Sequence, residues 1–117
     1  MYNIVMNQIS LRKKENQVQH LVASILMHDI TNVNIQEPVV MDVKLSSDLS
    51  YLKVFVTLSG NEQKGIIALN NSALYVRKIL AKSLDWRKVP EVKFYLDEVT
   101  ENGSRIDQIL REIQNQK

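Results

Sequence analysis

Cysteine is absent from this chain. That removes disulfides, thiol nucleophiles and thiolate metal sites together, and it agrees with a reducing, cytoplasmic setting. Glycine occurs only three times and proline twice, so the chain offers neither a Walker-type phosphate loop nor a dinucleotide-binding glycine motif. No run approaches the roughly 18 apolar residues of a membrane span, and the opening MYNIVMNQIS lacks the basic and apolar regions of a signal peptide. Histidine is scarce as well. His20 and His28 fall about two turns apart on one predicted helix, some 12 Å along its axis, too far to share a metal. The serines of LSSDLS have no histidine nearby in sequence and suit local turn hydrogen bonding, while Asp97, Glu98 and Glu101 are ordinary acidic residues around a turn. The expectation is a soluble non-enzyme with no cofactor, metal site or small-molecule substrate.

What remains is a chain of 117 residues, 44% apolar, long enough for one core and too short for two. It reads as a single domain over 1–117, with 1–8 and 114–117 as flexible ends. Val18, Leu21, Val22, Ile25 and Leu26 recur at helical spacing, which predicts a long amphipathic helix from about Ile9 to Ile30. Val39, Met41, Val43 and Leu45 then alternate with Val40, Asp42, Lys44 and Ser46, a strand with one apolar face. After the turn SSDLS a second alternation, Leu52, Val54, Val56 and Leu58, completes an antiparallel hairpin. A second helical pattern runs from about Lys64 to Leu84 through Ile66, Leu69, Ala73, Val76, Leu80 and Leu84. Val92, Phe94 and Leu96 form a third strand behind Pro90, and Ile106, Ile109, Leu110 and Ile113 predict a short C-terminal helix with Ser104 as N-cap.

Connection lengths give the topology. The helix between the second and third strands is a crossover, so those strands run parallel. An α+β domain follows, with a three-stranded mixed sheet in the order one, two, three and the long helices on one face. The other face would carry Val40, Asp42, Lys44, Lys53, Phe55, Thr57, Lys93 and Tyr95.

Net charge is only +2, but it is unevenly placed. Arg77, Lys78, Lys82, Arg87, Lys88 and Lys93 are opposed in their own stretch only by Asp85 and Glu91, and Arg12, Lys13 and Lys14 form a second cluster. Local excess of this kind marks a candidate polyanion-facing surface. Trp86 is expected to pack at a helix end rather than to stack on a base.

The segments VVMDVKLSSDLSYLKVFVTLSG and GIIALNNSALYVRKILAKSLDWRKVPEVKFYLDE resemble the ribosome-binding factor A (RbfA) family, whose members show a serine–aspartate–leucine turn, a KVFVTLSG strand, an RKIL helix end and then VPEVKFYLD. The resemblance runs from about Val18 to Ile113 and is most specific from Arg77 to Asp97. It implies a type II KH-like fold, in the order helix, strand, strand, helix, helix, strand, if the second long helix is broken. It further implies a monomeric assembly factor that binds the small (30S) ribosomal subunit and its 16S ribosomal RNA during late maturation and aids processing of that RNA's 5′ end. KH domains usually clamp nucleic acid with a GxxG loop, which is missing here. Family members instead carry an Ala-x-Gly kink, which aligns with Ser72, Ala73 and Leu74. Leucine in the glycine position disfavours a left-handed kink, because a Cβ there costs about 1–2 kcal/mol. A weaker kink or a continuous helix is therefore expected, with Ser72 able to bend the helix by bonding to an earlier carbonyl. The competing expectation is a protein-interaction or dimerisation module without RNA binding, which would use the open sheet face.

Overall fold

Two β-rich alternations meet across a turn that their own polar side chains hold shut. In the computed structural model, which describes residues 2–97, β1 (Val39–Leu45) and β2 (Tyr51–Thr57) pair antiparallel. Leu49 in the turn has φ +64, a left-handed conformation that disfavours a side chain. Hydrogen bonds hold it there. The Leu49 N–H donates to the Ser46 carbonyl (2.9 Å), and Ser46 Oγ accepts from the Ser50 and Tyr51 N–H groups at 3.0 and 2.9 Å. β3 (Glu91–Leu96) pairs parallel to the other side of β2, giving the expected order β1-β2-β3.

Three helices complete the described chain: α1 (Tyr2–His28), α2 (Glu62–Asn71) and α3 (Ala73–Ser83). α1 starts at Tyr2, ahead of the expected Ile9. Asn61 caps α2 by accepting from the Lys64 N–H at 3.1 Å. The second helical pattern is broken, not continuous, and the break is Ser72 alone, at φ −93 and ψ 0. Its N–H is shared between the Ala68 and Leu69 carbonyls (3.1 and 3.0 Å), and its hydroxyl donates to the Ala68 carbonyl at 3.1 Å. This back-bonding turns the chain without a left-handed residue. Ala73 and Leu74 both lie within α3.

The core lies between the helices and one sheet face. Val18 and Val22 of α1, Leu69 of α2, and Val76 and Leu80 of α3 meet Leu52, Val54 and Val56 of β2, all with exposures of 1% or less. One predicted face is wrong at its start. A bulge between Val40 and Asp42 inserts an extra residue and shifts the alternation by one. Val39 and Met41 are thus exposed (52% and 47%), whereas Val40 packs against the core. The outer face also departs from expectation at Phe55, which is only 4% exposed and stacks on Tyr95 at 5.7 Å. The predicted C-terminal helix and residues 114–117 lie outside the described residues.

α1 also covers the free edge of β1. Glu15 is 7% exposed and its Oε2 accepts the outward-pointing Leu45 N–H at 2.9 Å, while Gln19 Nε2 reaches the Met41 carbonyl at 3.5 Å. Removing this acceptor strands a buried donor, a loss of about 1–3 kcal/mol. Glu15→Ala should therefore lower stability by that order in urea unfolding, and Glu15→Gln, which keeps an acceptor oxygen, should lower it less.

Candidate nucleic-acid interface

The helical period of α3 sorts its side chains into two sets. Val76 and Leu80 face the core, which leaves Leu74 (76% exposed), Tyr75 (50% exposed), Lys78 and Lys82 outside. With the segment leading to β3, this outer side forms a groove of about 650 Å³ lined by Leu74, Tyr75, Arg77, Lys78, Lys88 and Val89. A second groove of about 590 Å³ continues past β3, lined among others by Asn70, Leu74, Arg77, Lys93, Tyr51 and Tyr95. Leu74 and Arg77 belong to both, so the two grooves adjoin along α3.

Two of the cations in these walls also hold the walls together. Arg77 Nη2 donates to the Val89 carbonyl at 3.0 Å, fixing the α3–β3 connection onto its helix. Lys88 Nζ donates to Ser50 Oγ at 2.7 Å, and the Glu91 N–H donates to the Ser50 carbonyl at 2.9 Å, so the same connection is tied to the hairpin turn. The floor is fixed as well. The Asn70 carboxamide takes both main-chain groups of Phe94, accepting its N–H at 2.8 Å and donating to its carbonyl at 3.0 Å. α2 thereby occupies the middle of the free edge of β3, as a further strand would.

The other sequence-predicted cations fall around this centre. Lys93 lies on the outer sheet face, its ammonium 5.3 Å from the Tyr95 ring centroid, with Lys53 on the same ring at 5.5 Å. Lys14 of α1 sits 5.7 Å from the Trp86 ring, which joins the N-terminal cluster to the α3–β3 connection. Trp86 itself is partly buried and packs against the core, as expected. Arg12 and Lys13 are exposed, and Arg12 approaches Glu15 at 3.9 Å. Lys82 and Arg87 are exposed and line neither groove. Sequence reasoning missed Tyr51, Lys53 and Tyr75 as groove residues and saw Leu74 only as a kink position. The signal for Leu74 and Tyr75 was present, since once Val76 and Leu80 are placed inside, a helical wheel turns both toward solvent.

Among the described residues no three His, Cys, Asp or Glu side chains gather to hold a metal, and no helix is long and apolar enough to cross a membrane. The arrangement suits binding: fixed positive charge beside exposed aromatic and aliphatic surface.

Helix, strand, strand, helix, helix, strand, with a mixed sheet backed by helices on one face, is the architecture of a type II KH-like α+β domain. Within that class the chain belongs to the ribosome-binding factor A family, whose family model matches residues 10–110. It is 45% identical over 109 residues to ribosome-binding factor A of Mycoplasmopsis agalactiae, covering 93% of this chain and 96% of that one. With the Mycoplasmopsis pulmonis protein of the same name it shares 37% identity over 112 residues, 96% of this chain and all of that one (100%). Its fold superposes on the crystal structure of ribosome-binding factor A from Thermus thermophilus with a TM-score of 0.70 at 23% identity, over 74% of this chain and 93% of that one. Coordinates of the T. thermophilus factor fitted into a cryo-EM map of a 30S–RbfA complex match with a TM-score of 0.62 at 24% identity, over 70% and 89% of the two chains.

The turn beneath the grooves carries a pH signature. Asp48 is held below the ordinary aspartate value of 3.8 first by the Ser46 hydroxyl (2.8 Å), then by Ser50 and by the nearby Lys88 charge. A lowered carboxyl contributes stability that is present above its unfolded value and lost as pH falls through its folded one. Asp48→Asn should therefore be less stable than the wild type near neutral pH, with the gap closing as pH drops below about 3.8. Melting curves at several pH values, with an NMR titration of the Asp48 carboxyl, check both points.

Proposed function

We propose that this protein is a non-catalytic assembly factor that binds the small ribosomal subunit through 16S ribosomal RNA, in the cytoplasm, and aids 5′-end processing of that RNA. The observation that carries the proposal is the pair of adjoining grooves, where Arg77, Lys78, Lys88 and Lys93 stand beside Leu74, Tyr75 and Tyr51. Cations at a groove's rim hold phosphates and set orientation without reading bases. Exposed tyrosines offer faces on which unpaired bases stack, the usual mode of RNA recognition outside duplexes. Family membership supports the same partner, as does the relative whose coordinates were fitted into a complex with the 30S subunit.

Binding of this type acts by population shift. A factor that fits one conformation of the maturing subunit stabilises that conformation by its differential affinity and needs no chemical step. Arg77 and Lys88 present their charge from fixed positions, because each is already bonded to its own scaffold. That lowers the ordering cost of forming the complex. The alternative, a dimerisation module using the sheet face, is disfavoured by Phe55, whose ring at the centre of that face is only 4% exposed.

The test is co-sedimentation with purified small subunits, for the wild type and for Lys78→Glu combined with Lys93→Glu, the two exposed cations of the groove walls that do not brace the scaffold. These side chains are exposed, so circular dichroism should show an unchanged fold. The wild type should bind, the variant should bind at least about tenfold more weakly, and the slope of log affinity against log salt should fall by about 0.7 for each phosphate no longer neutralised. Equal binding by the variant would remove this surface from the interface, and salt-insensitive self-association of the wild type would favour the module.

A further inference from the structure

One acid stands where the grooves should repel it. Among the described residues, Glu91 is the only acidic side chain in the walls of the two α3 grooves, whose other charged members, Lys53, Arg77, Lys78, Lys88 and Lys93, are all basic. It is exposed, and no described cation lies within ion-pair distance of its carboxylate. Backbone pairing holds it in place. As the first residue of β3, Glu91 is registered beside Tyr51, the first residue of β2, and its N–H donates to the Ser50 carbonyl at 2.9 Å. An unneutralised carboxylate at this point weakens the attraction of the grooves for phosphate, so whatever it adds to binding must come through a different part of a nucleotide.

Tyr51 identifies that part. Its ring is 59% exposed, on a backbone fixed by the Tyr51 N–H bond to Ser46 Oγ at 2.9 Å. Register partners on neighbouring strands lie about 4.8 Å apart and point to the same face, which places the Glu91 carboxylate beside the edge of a base stacked on Tyr51. Stacking uses the face of the base and leaves its Watson–Crick edge open to such a neighbour. A carboxylate only accepts hydrogen bonds, and its two oxygens suit two donors lying side by side. Guanine alone of the four bases presents two adjacent donors on that edge, N1–H and the N2 amino group. Adenine and cytosine set a bare ring nitrogen beside their amino donor, and uracil flanks its single N–H with carbonyl oxygens, so each would turn an acceptor toward the carboxylate.

We infer that Glu91 makes the groove beside β3 selective for an unpaired guanosine, stacked on Tyr51 and held at N1 and N2 by the Glu91 carboxylate, with Arg77 and Lys93 receiving the flanking phosphates. The inference rests on the RNA-binding reading and adds to it a base preference that phosphate contacts alone cannot give. Electrostatics give the assignment two sides. The carboxylate that favours guanine also lowers the affinity for every other base, so removing its charge should relax selectivity and strengthen indiscriminate binding together. A glutamate with no contact to a base would show the second effect without the first.

The test titrates the full chain, wild type and Glu91→Gln, with uridine decamers carrying one central guanosine, inosine or adenosine. Fluorescence anisotropy gives the affinities, and NMR shifts of Tyr51 report the site. Inosine keeps N1–H and lacks only the N2 amino group. The wild type should bind the guanosine decamer at least about tenfold more tightly than the adenosine decamer, as one bidentate base contact does, with inosine between them. In Glu91→Gln the guanosine preference should shrink to about threefold or less, while the adenosine decamer binds more tightly than it does to the wild type. Equal wild-type affinities, or a guanosine preference that survives the substitution, would overturn the assignment. Co-sedimentation with small subunits reports on the underlying reading separately. A wild type that binds subunits but no decamer, or whose decamers leave Tyr51 unshifted, would overturn the guanosine site and leave that reading standing; binding to neither would remove both.

Discussion

Everything in this domain depends on the inner side of β2. Leu52, Val54 and Val56 are essentially sealed from water and form the centre of the sheet face on which α1, α2 and α3 pack, with Val43 and Leu45 of β1 and Val92 and Phe94 of β3 on either side. β2 is also the strand paired on both sides, antiparallel to β1 and parallel to β3. Its hydrophobic burial is what holds a parallel crossover and an antiparallel hairpin in one plane, because neither pair is stable in water alone. With that strand fixed, the polar cross-links have defined partners. Ser50 can receive Lys88, the Arg77 guanidinium can reach Val89, and Asn70 can meet Phe94.

The site takes its character from this division of labour. The inner rows of α2 and α3 are committed to the core against the sheet, so the outer row of α3 is left facing solvent. Ser72 sets the angle at which that row passes β3, doing with a hydroxyl and a shared N–H what a left-handed glycine would otherwise do. Since Leu74 need not adopt a glycine conformation, it can occupy the groove as an exposed apolar side chain. Leu74 thus adds apolar surface to both grooves, and the helix–helix break is made by Ser72 alone.

Legibility in the sequence followed the range of the interaction. Alternation and helical spacing are local signals, and they placed all three strands, the hairpin and the parallel crossover. The bulge escaped because Val39 and Met41 continue an apparently unbroken apolar alternation, and only pairing with β2 reveals that one residue is extra. The start of α1 was placed late because its first turns lack a clear apolar stripe. Charge was legible in sign but not in destination. Nine cations were named, yet nothing in the sequence showed that Arg77 and Lys88 would also brace the scaffold, that Lys14 would cross to Trp86, or that Lys53 would join Lys93 over Tyr95. Those pairings join residues 12 or more apart in the chain and exist only after folding. Phe55 was assigned to the right face, but its burial could not be read from alternation.

The Asn70 carboxamide has a consequence for how the molecule behaves in a crowded solution. β1 has its outer edge engaged by Glu15 and Gln19, so β3 is the edge that could template the addition of foreign strands. Along that edge the outward-pointing groups belong to every second residue, and Asn70 already occupies both groups at the midpoint. An incoming strand would find its central rung taken and could not form a continuous ladder without first expelling a side chain anchored in α2. A single amide thus works as a guard against edge-to-edge aggregation, a safeguard that costs the groove none of its positive charge.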